Sequence, residues 1–196
     1  RGVMGIGFHN VIPDHAMDLA FLLQYDARDA DDLPAGQGLV HTGYIGGGFS
    51  GPLAPTLFYD AYGYFGVGSV PTDDNGSLTT RSLRSYLVGV NFQYFLPEVA
   101  ESIVSFGYLY SSGDKDHGSF YEGNTEGAST MFVGLTPPNL GVVFSPRLGN
   151  LMVTSLGYSI KPFSGGSSRA LEEFQTALNV LGFFRPTTGV ISEVGI

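Results

Sequence analysis

A long alternation of apolar and polar residues is the feature that most constrains how this chain can fold. In residues 84–95, every second residue from Tyr86 to Tyr94 is aromatic or valine, and most of the residues between them are polar or glycine. Successive side chains of a β-strand point to opposite faces, so this period of two predicts a strand with one apolar and one hydrophilic face.

The same pattern recurs along the whole chain and divides it into about eight segments, most of them 10 to 14 residues long. Strands of soluble proteins are usually about 5 or 6 residues long. A tilted strand that crosses a bilayer needs about 9–11 residues, so the lengths favour a membrane protein. The segments are 3–12, 15–26, 38–49, 55–70, 84–95, 102–112, 150–163 and 171–185.

The connections between these segments alternate in length. Short links are expected at Pro13-Asp14, around Gly51-Pro52, at Pro97 to Glu101 and at 164–169. Long ones are expected at 27–37, 71–83 and 113–149, with a further one beginning at Pro186. Alternation of tight turns with long outer loops is typical of outer-membrane barrels. The sequence therefore predicts one all-β unit over 1–196, an antiparallel up-and-down transmembrane β-barrel of about eight strands.

The last segment, 171–185, allows two interpretations. Leu171, Phe174, Leu178 and Leu181 fit the apolar stripe of a helix, whereas Phe174, Leu178 and Val180 also fit strand alternation with Gln175 and Asn179. We favour a strand, because an eighth strand completes four hairpins and a helix would leave the seventh strand unpaired.

Composition excludes several classes of protein. The charged fraction is 14%, well below the roughly 25% of soluble domains. A net charge of -9 argues against nucleic-acid binding, which needs clustered Lys and Arg. The chain has no cysteine, so disulfides and thiolate metal sites are absent.

No apolar run approaches the roughly 18 residues of a membrane-spanning helix, and the N-terminus has no signal-peptide pattern.

If the apolar face of each strand contacts lipid, the opposite face borders an aqueous interior. A Lys or Arg on the lipid side at mid-depth costs about 2–4 kcal/mol, so basic residues are expected on the interior side or at its rim, with Arg84 a further candidate. The predicted pore-lining residues are Asp18, Gln24, Asp26, Asp60, Tyr62, Tyr64, Asn91, Gln93, Lys161, Asn179 and Arg185.

The interior side of the later strands carries unusually small residues. An eight-stranded barrel is only wide enough to be filled by side chains, yet Ser105, Gly107, Ser111 and Gly157 are too small to fill it. We therefore expect the eight strands to be a segment of a larger barrel. The closing sequence GVISEVGI, which has the character of a loop and lacks the terminal aromatic strand of a complete barrel, supports the same expectation.

Two stretches resemble a known family. FGYLYSSGDKDHGSFYEG (106–123) and VVFSPRLGNLMVTSLGYSIKPF (142–163) are similar to the alginate-export-like group of bacterial outer-membrane porins. The resemblance implies a monomeric barrel of about sixteen to eighteen strands that conducts solutes across the outer membrane. Alginate conduits have strongly basic pores, whereas few basic residues of this chain are expected inward, so a general or cation-tolerant pore is the expectation.

Catalytic and metal chemistry find little support in the sequence. The histidines His9, His15, His41 and His117 are scattered, and no G-x-S-x-G motif occurs, so we expect neither an enzyme nor a bound cofactor. Acidic residues at 29–32, 73–74 and 114–116 offer oxygen ligands for divalent cations. They lack the spacing of a calcium loop, which favours solvated outer loops.

The expected function is an outer-membrane channel or porin that passes small solutes, located in the bacterial outer membrane with lipid and small solutes as its partners. The alternative is a soluble or surface-attached β-sandwich that binds ligands or adheres to cells. In that case the apolar faces would be buried between two packed sheets. The period of two is identical in both structures, so the environment of the apolar face decides between them.

Overall fold

The computed structural model contains one antiparallel β-sheet of eight strands. It describes residues 2–28, 38–74, 77–115, 127–134, 148–166 and 168–188. The strands are β1 (Gly2–Ile12), β2 (His15–Tyr25), β3 (His41–Ala54), β4 (Leu57–Asp74), β5 (Ser77–Leu96), β6 (Ser102–Ser111), β7 (Leu151–Ile160) and β8 (Thr176–Phe184), with a single helical turn, α1 (Arg169–Glu172), before β8.

Each strand pairs with the next one along the chain, in the order β1 to β8. The all-β, up-and-down architecture predicted from the sequence is confirmed. The sheet is open: within the described ranges, β1 pairs only with β2 and β8 only with β7. Over the same ranges, no helix is long and apolar enough to cross a bilayer.

The predicted long loop at 71–83 is wrong, because the structure has a hairpin of β4 and β5 there. The two strands are 18 and 20 residues long, and their pairing continues to Asp74 opposite Ser77. Only Asn75 and Gly76, which lie outside the described residues, remain between them. Asn-Gly is the strongest signal for a two-residue hairpin, and the threonines that follow favour strands. Both strands therefore extend well past their neighbours.

Several other boundaries differ from the prediction: β3 begins at His41 and not at 38, and β7 ends at Ile160 and not at 163. β3 continues to Ala54, so the short connection lies at Pro55 and Thr56 and not around Gly51-Pro52. The predicted strand at 171–185 begins only at Thr176, because the helical pattern at its start forms α1. We call the side of the sheet with the connections at Pro13, Pro55 and Pro97 the turn end, and the opposite side the loop end.

The pairing register separates the side chains into two faces. Residues directly opposite each other in neighbouring antiparallel strands share a face. One such row runs across five strands through Ile6, Phe21, Ile45, Phe65 and Tyr86, and all five side chains are 42–58% exposed. We call this the apolar face.

Few ionisable residues other than tyrosine lie on the apolar face. Among the strand side chains that the structure describes, this face carries no Asp, Glu or Lys. It carries Arg84, opposite Val67, and two histidines, His15 and His41, each the first residue of its strand. Arg84 was a candidate for the interior, and the register contradicts that expectation. It lies towards the loop end, where β5 extends past the last residue of β6.

The opposite side is the covered face, so named because the segment 127–134 packs against it. Its tyrosine rings lie over glycines of neighbouring strands: Tyr64 over Gly46, Tyr62 over Gly89. A Cβ at Gly46 would overlap the Tyr64 ring and lie 2.5 Å from the carbonyl oxygen of Gly63. Glycine in these strands therefore provides the space that aromatic side chains occupy, which offsets its poor strand propensity.

Replacing Gly46 by alanine is expected to lower the free energy of unfolding by about 1–3 kcal/mol, because the added methyl group meets backbone as well as a ring. Gly7→Ala is the matched control, since Gly7 occupies the same row of the covered face and its Cβ would meet nothing closer than 3.8 Å. Denaturant titration of both variants in lipid vesicles measures the difference. Equal stability of the two variants would contradict this packing.

Candidate functional site

A segment of the long connection between β6 and β7 folds onto the covered face. Ser129 pairs with the extended part of β5: its N–H donates to the Ser82 carbonyl at 2.7 Å, and its carbonyl accepts from the Arg84 N–H at 2.8 Å. β6 ends opposite Leu87, so the edge of β5 beyond that point needs another partner. Segment 127–134 supplies it.

Two apolar residues of this segment pack on the sheet. Phe132 lies between Tyr44 and Leu87, with its ring centroid 5.6 Å from that of Tyr44. The Tyr44 hydroxyl donates to the Val133 carbonyl, and Val133 completes a buried cluster with Leu83 and others near the loop end. The segment is therefore held by backbone pairing, by a side-chain hydrogen bond and by apolar burial together.

A buried polar network fixes the two ends of the same connection. Asn150 is fully buried, and its side chain accepts from the Thr187 N–H at 3.0 Å and donates to the Thr187 carbonyl at 3.3 Å. Asp114 accepts from the Thr130 N–H at 2.8 Å, and the Ser112 carbonyl accepts from the Phe132 and Asn150 N–H groups. The network joins the end of β6, the inserted segment, the start of β7 and the chain after β8.

Asp26 lies one residue past β2 and is also buried. It accepts two hydrogen bonds from the Arg28 guanidinium, at 2.8 and 2.7 Å. This pairing raises the pKa of Arg28, chiefly through the hydrogen bond. Asp26, a predicted pore-lining residue, is thus a buried partner of Arg28 at the loop end.

The covered face is hydrophilic towards the turn end. His9 and Asp18 are paired across β1 and β2, with Nδ1 and Oδ1 2.6 Å apart. Asn91 reaches over Gly107, and Asn179 over Gly157, where an added Cβ would lie 2.8 and 2.5 Å from their Oδ1 atoms. Polar side chains and glycines are thus more frequent here than near the loop end, and the aromatic pair Phe58 and Phe95 lies on the same face.

Lys161 closes this polar region at the turn end. It lies one residue past β7, and its ammonium is 2.9 Å from Glu101 and 3.7 Å from Glu173. The hydrogen bond to Glu101 is the largest cause of a raised pKa for Lys161. The Lys161 side chain therefore forms ion pairs at the turn end of the sheet. They connect the turn between β5 and β6 with the segment between β7 and β8.

The register places eight of the predicted pore-lining residues on the covered face, within strands, whereas the other three (Asp26, Lys161 and the exposed Arg185) lie just past strand ends. The inserted segment was missed, because 113–149 was expected to be a solvated loop. The apolar run Met131 to Val133 was the signal for it. The eight residues in strands are Asp18, Gln24, Asp60, Tyr62, Tyr64, Asn91, Gln93 and Asn179.

The acidic stretches proposed for divalent cations are largely outside the described residues: this holds for 29–32, Asp116 and the side chains of 73–74. Asp114 is described and is occupied by Thr130. In the parts of the chain that the structure covers, no three His, Asp or Glu side chains lie close enough to hold a metal ion.

Comparison with known proteins assigns no family. No protein-family model matches the chain, and no curated protein sequence matches it significantly. The resemblance of 106–123 and 142–163 to alginate-export-like porins therefore stays a prediction.

The contacts of segment 127–134 make a direct prediction about Tyr44. Tyr44→Phe removes the hydrogen bond to the Val133 carbonyl, which is worth about 0.5–1.5 kcal/mol. Hydrogen exchange of the Phe132 amide should accelerate by about 2- to 12-fold if it exchanges through release of the segment. Tyr94→Phe, the same change on the apolar face, serves as the control. Unchanged exchange at Phe132 in the Tyr44 variant would show that the segment is held in another way.

Proposed function

We propose that this chain forms wall strands of an outer-membrane channel that passes small solutes, and cations in preference to anions, across the bacterial outer membrane. The apolar face contacts lipid and the covered face borders the lumen. β1 and β8 are paired in the membrane by further strands of a larger barrel, because unpaired backbone groups are not tolerated in hydrocarbon.

The observation that carries the proposal is the composition of the apolar face. Large side chains such as Phe21, Phe106 and Leu156 are 42–57% exposed on it, and they are continuous across the sheet through the register. Soluble monomers rarely expose apolar patches larger than a few hundred Å². Hydrocarbon is the solvent that such a surface fits.

Charge on the covered face supports the preference for cations. Asp18 and Asp60 lie on it within strands, and its one strand Lys or Arg in the described part of the chain is Arg81, on the extension of β5 at the loop end. An aspartate about 7 Å from a passing ion contributes about 0.6 kcal/mol in water. Salt at about 0.1 M halves this energy. Because a cation is attracted and an anion repelled by the same amount, the difference between the two ions is about 0.6 kcal/mol, which is about a two- to three-fold bias for each aspartate.

Segment 127–134 supports a restriction on solute size. It fills the covered face near the loop end between β3 and β5, where Phe132 rests on Tyr44 and Leu87. A solute moving along this wall meets the apolar segment first and the polar region towards the turn end second. The channel proposed here is therefore narrower than its backbone alone would allow.

The β-sandwich alternative has less support. All eight strands described belong to one sheet, and the apolar face is exposed, whereas a sandwich would bury it under a second sheet. A binding or adhesion protein of that kind would be soluble in plain buffer and would not form channels, so the same experiments separate the two functions.

The test is conductance of the full-length protein in planar bilayers. Under a salt gradient, the reversal potential is expected to have the sign of a cation-preferring pore. Asp60→Asn and Asp18→Asn should each reduce the cation-to-anion permeability ratio by about two- to three-fold. Asp14→Asn, in the turn after β1, is the matched control, since it removes the same charge away from the covered face.

Three results would contradict the proposal. The first is an absence of conductance from protein that remains soluble without detergent. The second is identical gel migration of native and boiled protein. The third is a reversal potential that responds to Asp14→Asn as strongly as to Asp60→Asn, which would mean that the covered face does not border the ion path.

A further inference from the structure

A polar pocket of about 350 Å³ lies on the covered face at the turn end, between β5 and β8. Its volume is at the lower end of the range of small-molecule sites, which is about 300–1,000 Å³. The side chains that give it its chemistry are Gln93, Gln175, Asn179, Ser105 and Ser159. Only Gln93 and Asn179 were among the predicted pore-lining residues.

The chemistry of the pocket is neutral and offers both donors and acceptors. Each of its side-chain amides carries an acceptor oxygen and two N–H donors, and each serine hydroxyl can do either. Gln175 and Ser159 already share a hydrogen bond of 3.0 Å. The nearest charge along β7 is Lys161, which forms ion pairs with Glu101 and Glu173 outside the pocket. Among the residues that the structure describes, no Asp, Glu, Lys or Arg lines the pocket.

Two of the lining side chains, Ser105 and Asn179, occupy space that is free because residue 157 is glycine. Gly157 lies between Ser105 and Asn179 in the same cross-strand row. A Cβ there would overlap the Ser105 hydroxyl and lie 2.5 Å from the Asn179 Oδ1. Both atoms end short side chains that can rotate away, so alanine at this position would rearrange the lining without forcing the backbone apart.

We propose that this pocket binds neutral, hydroxyl-rich solutes of monosaccharide size. Such ligands present several groups that donate and accept hydrogen bonds at once, which matches a lining of amides and hydroxyls. A charged ligand would find no counter-ion among the lining residues. A role of the pocket in permeation rests on the proposed channel, but its binding of solutes can be tested separately.

The experiment measures binding of three related sugars to the full-length protein in lauryldimethylamine oxide, a detergent without a sugar head group. Glucose is the neutral probe, glucuronate the acidic one and glucosamine the basic one. Equilibrium dialysis and saturation-transfer NMR are expected to show saturable glucose binding in the millimolar range. Both charged sugars should bind at least about five-fold more weakly.

Substitutions locate the site. Asn179→Ala is expected to weaken glucose binding about three- to ten-fold, the effect of one or two lost hydrogen bonds. Gly157→Ala should weaken it similarly while the thermal unfolding of the protein stays unchanged. Asn91→Ala is the matched control, because Asn91 is an amide on the same face outside the pocket, and it should leave glucose binding within about two-fold.

The outcomes separate this inference from the proposed function. Glucose binding that does not saturate up to about 100 mM, or glucuronate or glucosamine binding as tightly as glucose, would overturn the inference even if the protein conducts ions. Equal effects of Asn91→Ala and Asn179→Ala would also overturn it. Saturable, Asn179-dependent glucose binding by a protein without conductance would support the pocket and contradict the channel.

Discussion

The structure depends on a pairing register that places the apolar side chains of eight successive strands on one face. A shift of one residue in any pair would move a complete set of apolar side chains to the other side, and rows such as Ile6, Phe21, Ile45 and Phe65 continue from strand to strand without such a shift. The result is a sheet whose described strand side chains include no Asp, Glu or Lys on one face, while most of its polar strand side chains lie on the other. Lipid on one side and water on the other are the two solvents that suit it.

The covered face has two regions that differ in composition and packing. Towards the loop end, segment 127–134 supplies Phe132 and Val133 to an apolar core, and a network around Asn150 holds both ends of the connection. Towards the turn end, glycines and small polar residues leave space that water or a solute can occupy. The inserted segment also covers the part of β5 that β6 leaves unpaired, so one element satisfies a backbone edge and buries apolar side chains of the covered face.

The sequence predicted those features that a period of two can encode. Strand existence and the side on which Asp60, Asn91 and Asn179 lie follow from the alternation of apolar and polar residues, and the antiparallel order follows from the short links between successive strands. It predicted less well where local signals compete. The polar residues of 71–83 indicated a loop although Asn75-Gly76 favours a hairpin, and the start of 171–185 belongs to a helical turn. Contacts between residues far apart in the chain, such as Tyr44 with Val133, have no periodic signal. Only the register reveals that Gly157 lies opposite Asn179, a residue that lines the polar pocket.

The claim that the apolar face contacts lipid is tested most directly by measuring solvent accessibility along β6 and β7. The chain has no native cysteine, so single cysteines at successive positions of β6 and β7 can carry a spin label without background. In lipid vesicles, collision with oxygen should peak at Val104, Phe106 and Leu156, and collision with a water-soluble nickel chelate should peak at Ser105 and Ser155. Loss of this alternation, or nickel access at Phe106 equal to that at Ser105, would contradict a lipid-facing apolar surface.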